Sequence, residues 1–127
     1  MTISTMGKRN LAFLLSPLAG NISLSEAVIP AGTGKVEAGT VLGELTAAPG
    51  SFAPSPYAEV AGIEGAETAK AVLGYAVDAT DVDVRVTIVD RLAEVKLPML
   101  TFEASVDDET KIAAKVAQLD AVNIRAR

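Results

Sequence analysis

Val82-Asp83-Val84-Arg85-Val86-Thr87-Ile88-Val89 is the stretch on which the fold turns. Val82, Val84, Val86 and Ile88 alternate with Asp83, Arg85 and Thr87. That period of two predicts a strand with one face in a core and the other wet or at a subunit contact. Just before it, Ala71 to Val77 is apolar on both faces through Val72, Leu73, Tyr75 and Val77, which predicts a buried strand. Just after it, Glu94–Leu97 reads as a further edge, closed by Pro98.

Working outward, Ile22 to Ile29 reads as a short strand stopped by Pro30 and the glycines at 32 and 34. Thr40-Val41-Leu42-Gly43-Glu44-Leu45 is another, entered through Ala38-Gly39. Residues 46–68 are rich in Ala, Pro, Gly and Ser, so they read as a long loop with at most a short strand at Ser51–Ala53. One helix is expected. Ser105 is its N-cap, with Asp108 in the capping-box position. Asp107 and Lys111 form an acid-before-base pair at i,i+4. Ile112, Val116, Leu119 and Val122 make an apolar stripe with Ala113 beside it, and Asn123 ends the helix before a short basic tail. The fold class is therefore mainly β with one C-terminal helix.

The chain's 127 residues make one domain with one modest core. Half of them are apolar and the mean hydropathy is positive. That is more apolar surface than a small monomer hides, so a homo-oligomer is expected. The net charge of −5 argues against nucleic acid, which demands clustered Lys and Arg. There is no His and no Cys. Disulfides, Ser-His-Asp and Cys-His nucleophiles, and His or Cys metal ligation are thereby excluded, and the usual proton-transfer side chain is missing. No cofactor, metal or catalytic residue is expected. The alternative kept open is a β-barrel enzyme or ligand-binding domain using carboxylates such as Asp78 and Asp83.

Two motifs dissolve on inspection. Ala31-Gly32-Thr33-Gly34-Lys35 suggests a phosphate loop, but Ile29 stands where the first glycine belongs and Val36 where Ser or Thr belongs. It is a glycine turn before a strand. Asp78, Asp81 and Asp83 lack the spacing and the closing Glu of a calcium loop, so they read as solvated turn carboxylates.

The N-terminal segment is the odd part of the chain. Its first twenty-five residues carry only Lys8 and Arg9 as charges, leaving −7 on residues 26–127. Leu11-Ala12-Phe13-Leu14-Leu15 follows directly. A secretory signal is disfavoured: the apolar stretch is broken by Ser16 and Pro17, and a cut after Ala19 would put Pro17 where a small residue belongs. No run approaches the ~20 apolar residues of a membrane-spanning helix, so no membrane partner is expected. Pro17, Gly20 and Asn21 would end a helix early. The segment reads as an extended arm that binds something outside its own domain.

Four pieces stand in order along the chain. They are Leu14-Leu15-Ser16 in the arm, Ala38-Gly39-Thr40-Val41-Leu42-Gly43, Ala71–Thr80 leading to the Val-rich strand and Val89-Asp90-Arg91-Leu92-Ala93-Glu94-Val95, and a helix from Asp107 to Val122 followed by Asn123-Ile124-Arg125. In this order and spacing the chain resembles the head decoration proteins of tailed bacteriophages, the lambda D type. The resemblance implies a β-clip-like incomplete barrel, with residues 1–28 as an extended capsid-binding arm and 29–127 as the decoration domain. It implies a homotrimer on the outer surface of the expanded capsid, cementing neighbouring major capsid proteins against the pressure of packaged DNA. That places it in the virion, with the host cytoplasm as the site of assembly. It also implies Phe13, Leu14 and Leu15, with Leu11, as apolar anchors, and Lys8 and Arg9 facing acidic capsid surface.

Overall fold

The structure is a computed structural model that describes residues 9–17 and 23–127. Ten strands and one α-helix are present among them. The Val-rich strand is β8, Val84–Val89. It lies in a five-stranded sheet with β2 (Leu24–Ile29), β6 (Ala69–Leu73), β4 (Val41–Glu44) and β5 (Phe52–Pro54), in the order β2-β8-β6-β4-β5. Its antiparallel pairing with β2 runs unbroken from Leu24 opposite Val89 to Ile29 opposite Val84. Strand β3 (Gly34–Val36) pairs with β7 (Val77–Ala79) as a small ribbon. A third sheet has the order β1-β9-β10, from Leu14–Pro17, Ala93–Val95 and Ile124–Ala126, with β9 and β10 parallel.

The five-stranded sheet is covered on both faces. Val41, Val72 and Val89 face one apolar cluster, with Phe13, Val95, Leu119 and Ile124. Leu42, Ala71, Leu73, Val86 and Ile88 face a second, with Ile29, Val36 and Phe52. This two-sided burial is why 71–73 shows no polar alternation. The sheet also curls until its outer strands approach. Val28 and Ser51 form one parallel bridge, and the Val28 N–H donates to Gly50 O at 2.9 Å. No ladder follows, so among the described residues the sheets stay open and no barrel closes.

Three sequence readings shift. The strand expected through Val77 ends at Leu73: Gly74 N still donates to Thr87 O at 2.9 Å, but its carbonyl accepts Leu11 N from the N-terminal turn at 2.8 Å, and Tyr75 is exposed. Val82 lies before β8 and is 62 % exposed. The helix α1 (Glu109–Ala121) is capped by Asp108, not Ser105: the Asp108 carboxylate accepts from Lys111 N at 2.8 Å. Ser105 instead accepts the Tyr57 N–H at 2.9 Å. Asn123 takes the left-handed conformation, φ 63°, that turns the chain into β10.

The long loop is ordered by α1, whose inner face is partly polar. Leu119 is buried as expected, but so is Lys115, at 1 % exposure. The Lys115 ammonium donates to Ser55 Oγ (3.0 Å), Pro56 O (2.6 Å) and Glu67 O (2.5 Å). One turn earlier the Lys111 ammonium lies 5.2 Å from the Tyr57 ring centre. One turn later Gln118 Oε1 accepts from Ala69 N at 2.8 Å. Residues 111, 115 and 118 thus form one helical row that clamps the loop. Ser55 Oγ donates onward to Ala66 O at 2.6 Å. Under this point Gly43 is obligatory, since a β-carbon there would sit 2.1 Å from Ala66 O.

Replacing Lys115 by Met would leave two carbonyls without their buried donor. Ser55 Oγ would also lose the ammonium it accepts from. Lys115→Met is expected to cost about 2–4 kcal/mol of stability, measured by urea unfolding. Burial pushes the Lys115 ammonium below its usual range, against the opposing charges of Glu67 and Glu103. The unfolded chain therefore holds that proton more tightly than the folded one. The cost of burying the charge is full below the folded pKa and fades as pH rises toward the ordinary lysine value. The stability difference between wild type and Lys115→Met should accordingly widen in favour of wild type as pH rises toward 10.5. Gly43→Ala should destabilise by about 2–3 kcal/mol through forced separation of β4 from the loop, read as a lower melting temperature.

Candidate functional site

The six arm residues singled out in the sequence separate into different environments. Lys8 lies outside the described residues. Arg9 is exposed at the start of a tight turn in which Ala12 N donates to Arg9 O and Leu14 N to Leu11 O. That turn docks on the link between β6 and β7. Leu11 N donates to Gly74 O at 2.8 Å, and Ala76 N donates to Asn10 Oδ1 at 2.9 Å. Leu11 takes φ 58°, and its Cδ2 would lie 3.2 Å from a Gly74 β-carbon, so the missing side chain at 74 gives Leu11 its seat.

Phe13 differs most from the anchor role. It is 1 % exposed, inside the first core cluster, and its carbonyl accepts Lys96 N at 2.7 Å. Leu11 and Leu14 are half-buried against the same cluster. The apolar run therefore satisfies its own domain first, because the face of the sheet beneath it would otherwise be open. Likewise Leu24–Ile29, at the inner end of the expected arm, forms the outer strand of the five-stranded sheet.

Leu15 behaves differently. The pairing of β1 with β9 slips between Leu14, opposite Val95, and Ser16, opposite Glu94. Leu15 is the extra residue of this bulge and is 48 % exposed. Bulges re-aim side chains in this way. Strand β1 is the outer strand of its sheet, so one edge of its backbone faces away from β9. The neighbouring strands and turns carry Arg91, Lys96, Arg125 and Arg127. Arg127 pairs with Glu94 at 3.1 Å and Arg91 with Asp90 at 3.1 Å. Four cations against Asp90 and Glu94 leave a surplus of two positive charges here, which sequence reasoning passed over because its members are scattered over residues 91–127.

Two open apolar grooves complete the surface. One, of about 640 Å³, runs between Leu97–Phe102 and the outer face of α1, where Ile112 and Val116 of the expected core stripe are only half-buried. The other, of about 610 Å³, lies between the turn after β2 and the clamped loop.

The carboxylates named in the alternative reading are not enclosed. Asp78, Asp81 and Asp83 are exposed. Asp78 is held below the usual carboxylate range by hydrogen bonds from the Thr80 hydroxyl and N–H, aided by Lys35. Asp83 Oδ1 accepts the Ala31 N–H at 2.7 Å, which fixes the glycine turn. No group of three or more Asp or Glu poised for a metal occurs among the described residues.

No match was found among curated proteins. A family model described as bacteriophage lambda head decoration protein D matches residues 3–124, nearly the whole chain. With a mainly β architecture, one C-terminal helix and an edge strand formed by the N-terminal segment, the chain belongs to the bacteriophage lambda head decoration protein D family, structural proteins of the phage head.

Proposed function

We propose that this protein sits as a homotrimer on the outer surface of the expanded capsid and cements neighbouring major capsid proteins against internal DNA pressure. It would join the shell after assembly in the host cytoplasm and remain on the virion. The observation that carries this reading is the outer edge of β1, with Leu15 turned outward by the bulge. An extended capsid segment can add to such an edge through backbone hydrogen bonds, with little demand on its sequence. Leu15 then supplies the apolar contact, and Lys8 and Arg9 meet acidic capsid surface. Leu11, Phe13 and Leu14 contribute from beneath by fixing where the strand lies. Three such edges on one trimer give avidity, because the second and third bind at high local concentration. Binding that prefers the expanded lattice stabilises it by mass action.

Removing residues 1–20 would delete Phe13 from the core along with the arm, so finer changes are needed. Arg9→Glu combined with Leu15→Asp touches only exposed side chains. It should leave the melting temperature unchanged and weaken binding to purified expanded shells at least tenfold in a sedimentation assay. Wild-type affinity in that variant would sink the edge-binding reading. Phe13→Ala should do the opposite first, costing about 3–5 kcal/mol of folding stability through the cavity it leaves, by chemical denaturation.

A further inference from the structure

The described surface is polarised along β2 and β8. At the Ile29/Val84 end lies the groove walled by Pro30, Leu45, Pro54, Val60 and Ile63. Glu103 also lines it, while no Lys or Arg does. The loop that forms its lip adds Glu59 and Glu64 and leaves Val60 44 % exposed. That lip is fixed in advance. Lys115 holds its base at Pro56 and Glu67, and Thr46 N donates to Glu64 O at 2.9 Å. A preformed groove costs little ordering when it is filled.

At the Leu24/Val89 end, five residues or roughly 17 Å away along the strands, the turn Asp90-Arg91-Leu92 projects. Leu92 is 37 % exposed at φ 48°, a conformation that a branched side chain rarely adopts. The turn is held there: Ser23 Oγ donates to Leu92 O at 2.8 Å, and Asp90 N donates to Ser23 O. Strain maintained at an exposed apolar tip calls for a use. Arg91, next to Leu92, is held by Asp90 at 3.1 Å, and Arg125 of β10 lies opposite Glu94 of β9, two residues beyond Leu92.

We infer that the Arg91–Leu92 turn of one copy seats in the Pro54–Ile63 groove of the next. This makes a head-to-tail contact that joins the subunits of the trimer proposed above, on which it rests. The two surfaces are unlike: an apolar tip beside the Asp90–Arg91 pair, where Arg91, Arg125 and Arg127 outnumber Asp90 and Glu94 by one charge, and an apolar groove rimmed by Glu59, Glu64 and Glu103. They are different patches of one chain, so their contact is heterologous, and such a contact closes into a ring when its rotation allows. The surplus of apolar residues over what a small monomer hides is consistent with a second copy as the occupant.

The test uses the full chain with Val60→Asp in the groove or Leu92→Asp in the turn, both exposed positions. Native mass spectrometry follows self-association, and thermal melts check folding. Each variant alone should self-associate at least thirtyfold more weakly than wild type. Mixed together, they retain one intact tip and one intact groove per pair, so they should form heterodimers that do not close into trimers. Wild-type trimers with both variants assembling equally well would overturn this contact and leave the trimer standing. A mixture that associates no better than its separate components would overturn the head-to-tail geometry. Variants that form normal trimers but lose shell binding would assign the groove to capsid protein and overturn the contact. Where the wild-type chain is monomeric in solution, the readout moves to decorated expanded shells: Val60→Cys with Leu92→Cys, in a chain that has no other cysteine, should give disulfide-linked oligomers on the shell, and monomers alone after oxidation would overturn the contact.

Discussion

The constraint on which everything else depends is that the five-stranded sheet is apolar on both faces. Valines 41, 72 and 89 face one way; Leu42, Leu73 and Ile88 face the other. One face is covered by the sheet's own curl and the β3–β7 ribbon. The other must be covered by something else, and both ends of the described chain are drawn over it. Phe13 comes from the N-terminal side, and Leu119 and Ile124 from the C-terminal side. The parallel pairing of β10 with β9 and the antiparallel pairing of β1 with β9 follow from this shared demand, since β9 lies between two segments that both need the same cover.

Most of the fold was legible because it rests on local signals. The period-two alternation of Val84–Val89 gave its strand, and the apolar spacing of Ile112, Val116 and Leu119 gave the helix, whereas β3 and its partner β7, three residues each, carry no pattern long enough to read. What failed depended on partners far away in sequence. Phe13 reads equally well as an anchor for another molecule or as a plug for its own core. Only the open face above Val72 and Val89 decides for the plug. Lys115 falls outside any apolar stripe, so a helical pattern assigns it to solvent. Its burial depends on Ser55, Pro56 and Glu67, three acceptors supplied by a loop that carries no pattern at all. Ser105 is a good cap by type, yet Asp108 won because its carboxylate reaches Lys111 N while Ser105 was taken by Tyr57 N and Glu103.

The candidate site was legible only in outline. A sparsely charged, apolar N-terminal segment on an acidic chain marked the region as unusual. It could not show which side chains remain available, because availability is set by the bulge between Leu14 and Ser16, and that is a property of the pairing with β9. The same bulge divides the run into a half that faces inward and a residue, Leu15, that faces outward.

That division bears on the proposed cementing role. A protein that ties a shell together must pass load from its contact into its own body. If the arm merely trailed from the domain, tension on it would be resisted by loop backbone alone. Here the segment beyond Leu15 is rooted by Phe13 in the core, by the Phe13 carbonyl on Lys96 N, and by Leu11 N on Gly74 O. Displacing the edge would therefore mean extracting an aromatic ring from a close-packed cluster, which is far costlier than straightening a turn. The residues that look misplaced as capsid contacts are the ones that would make an edge contact strong.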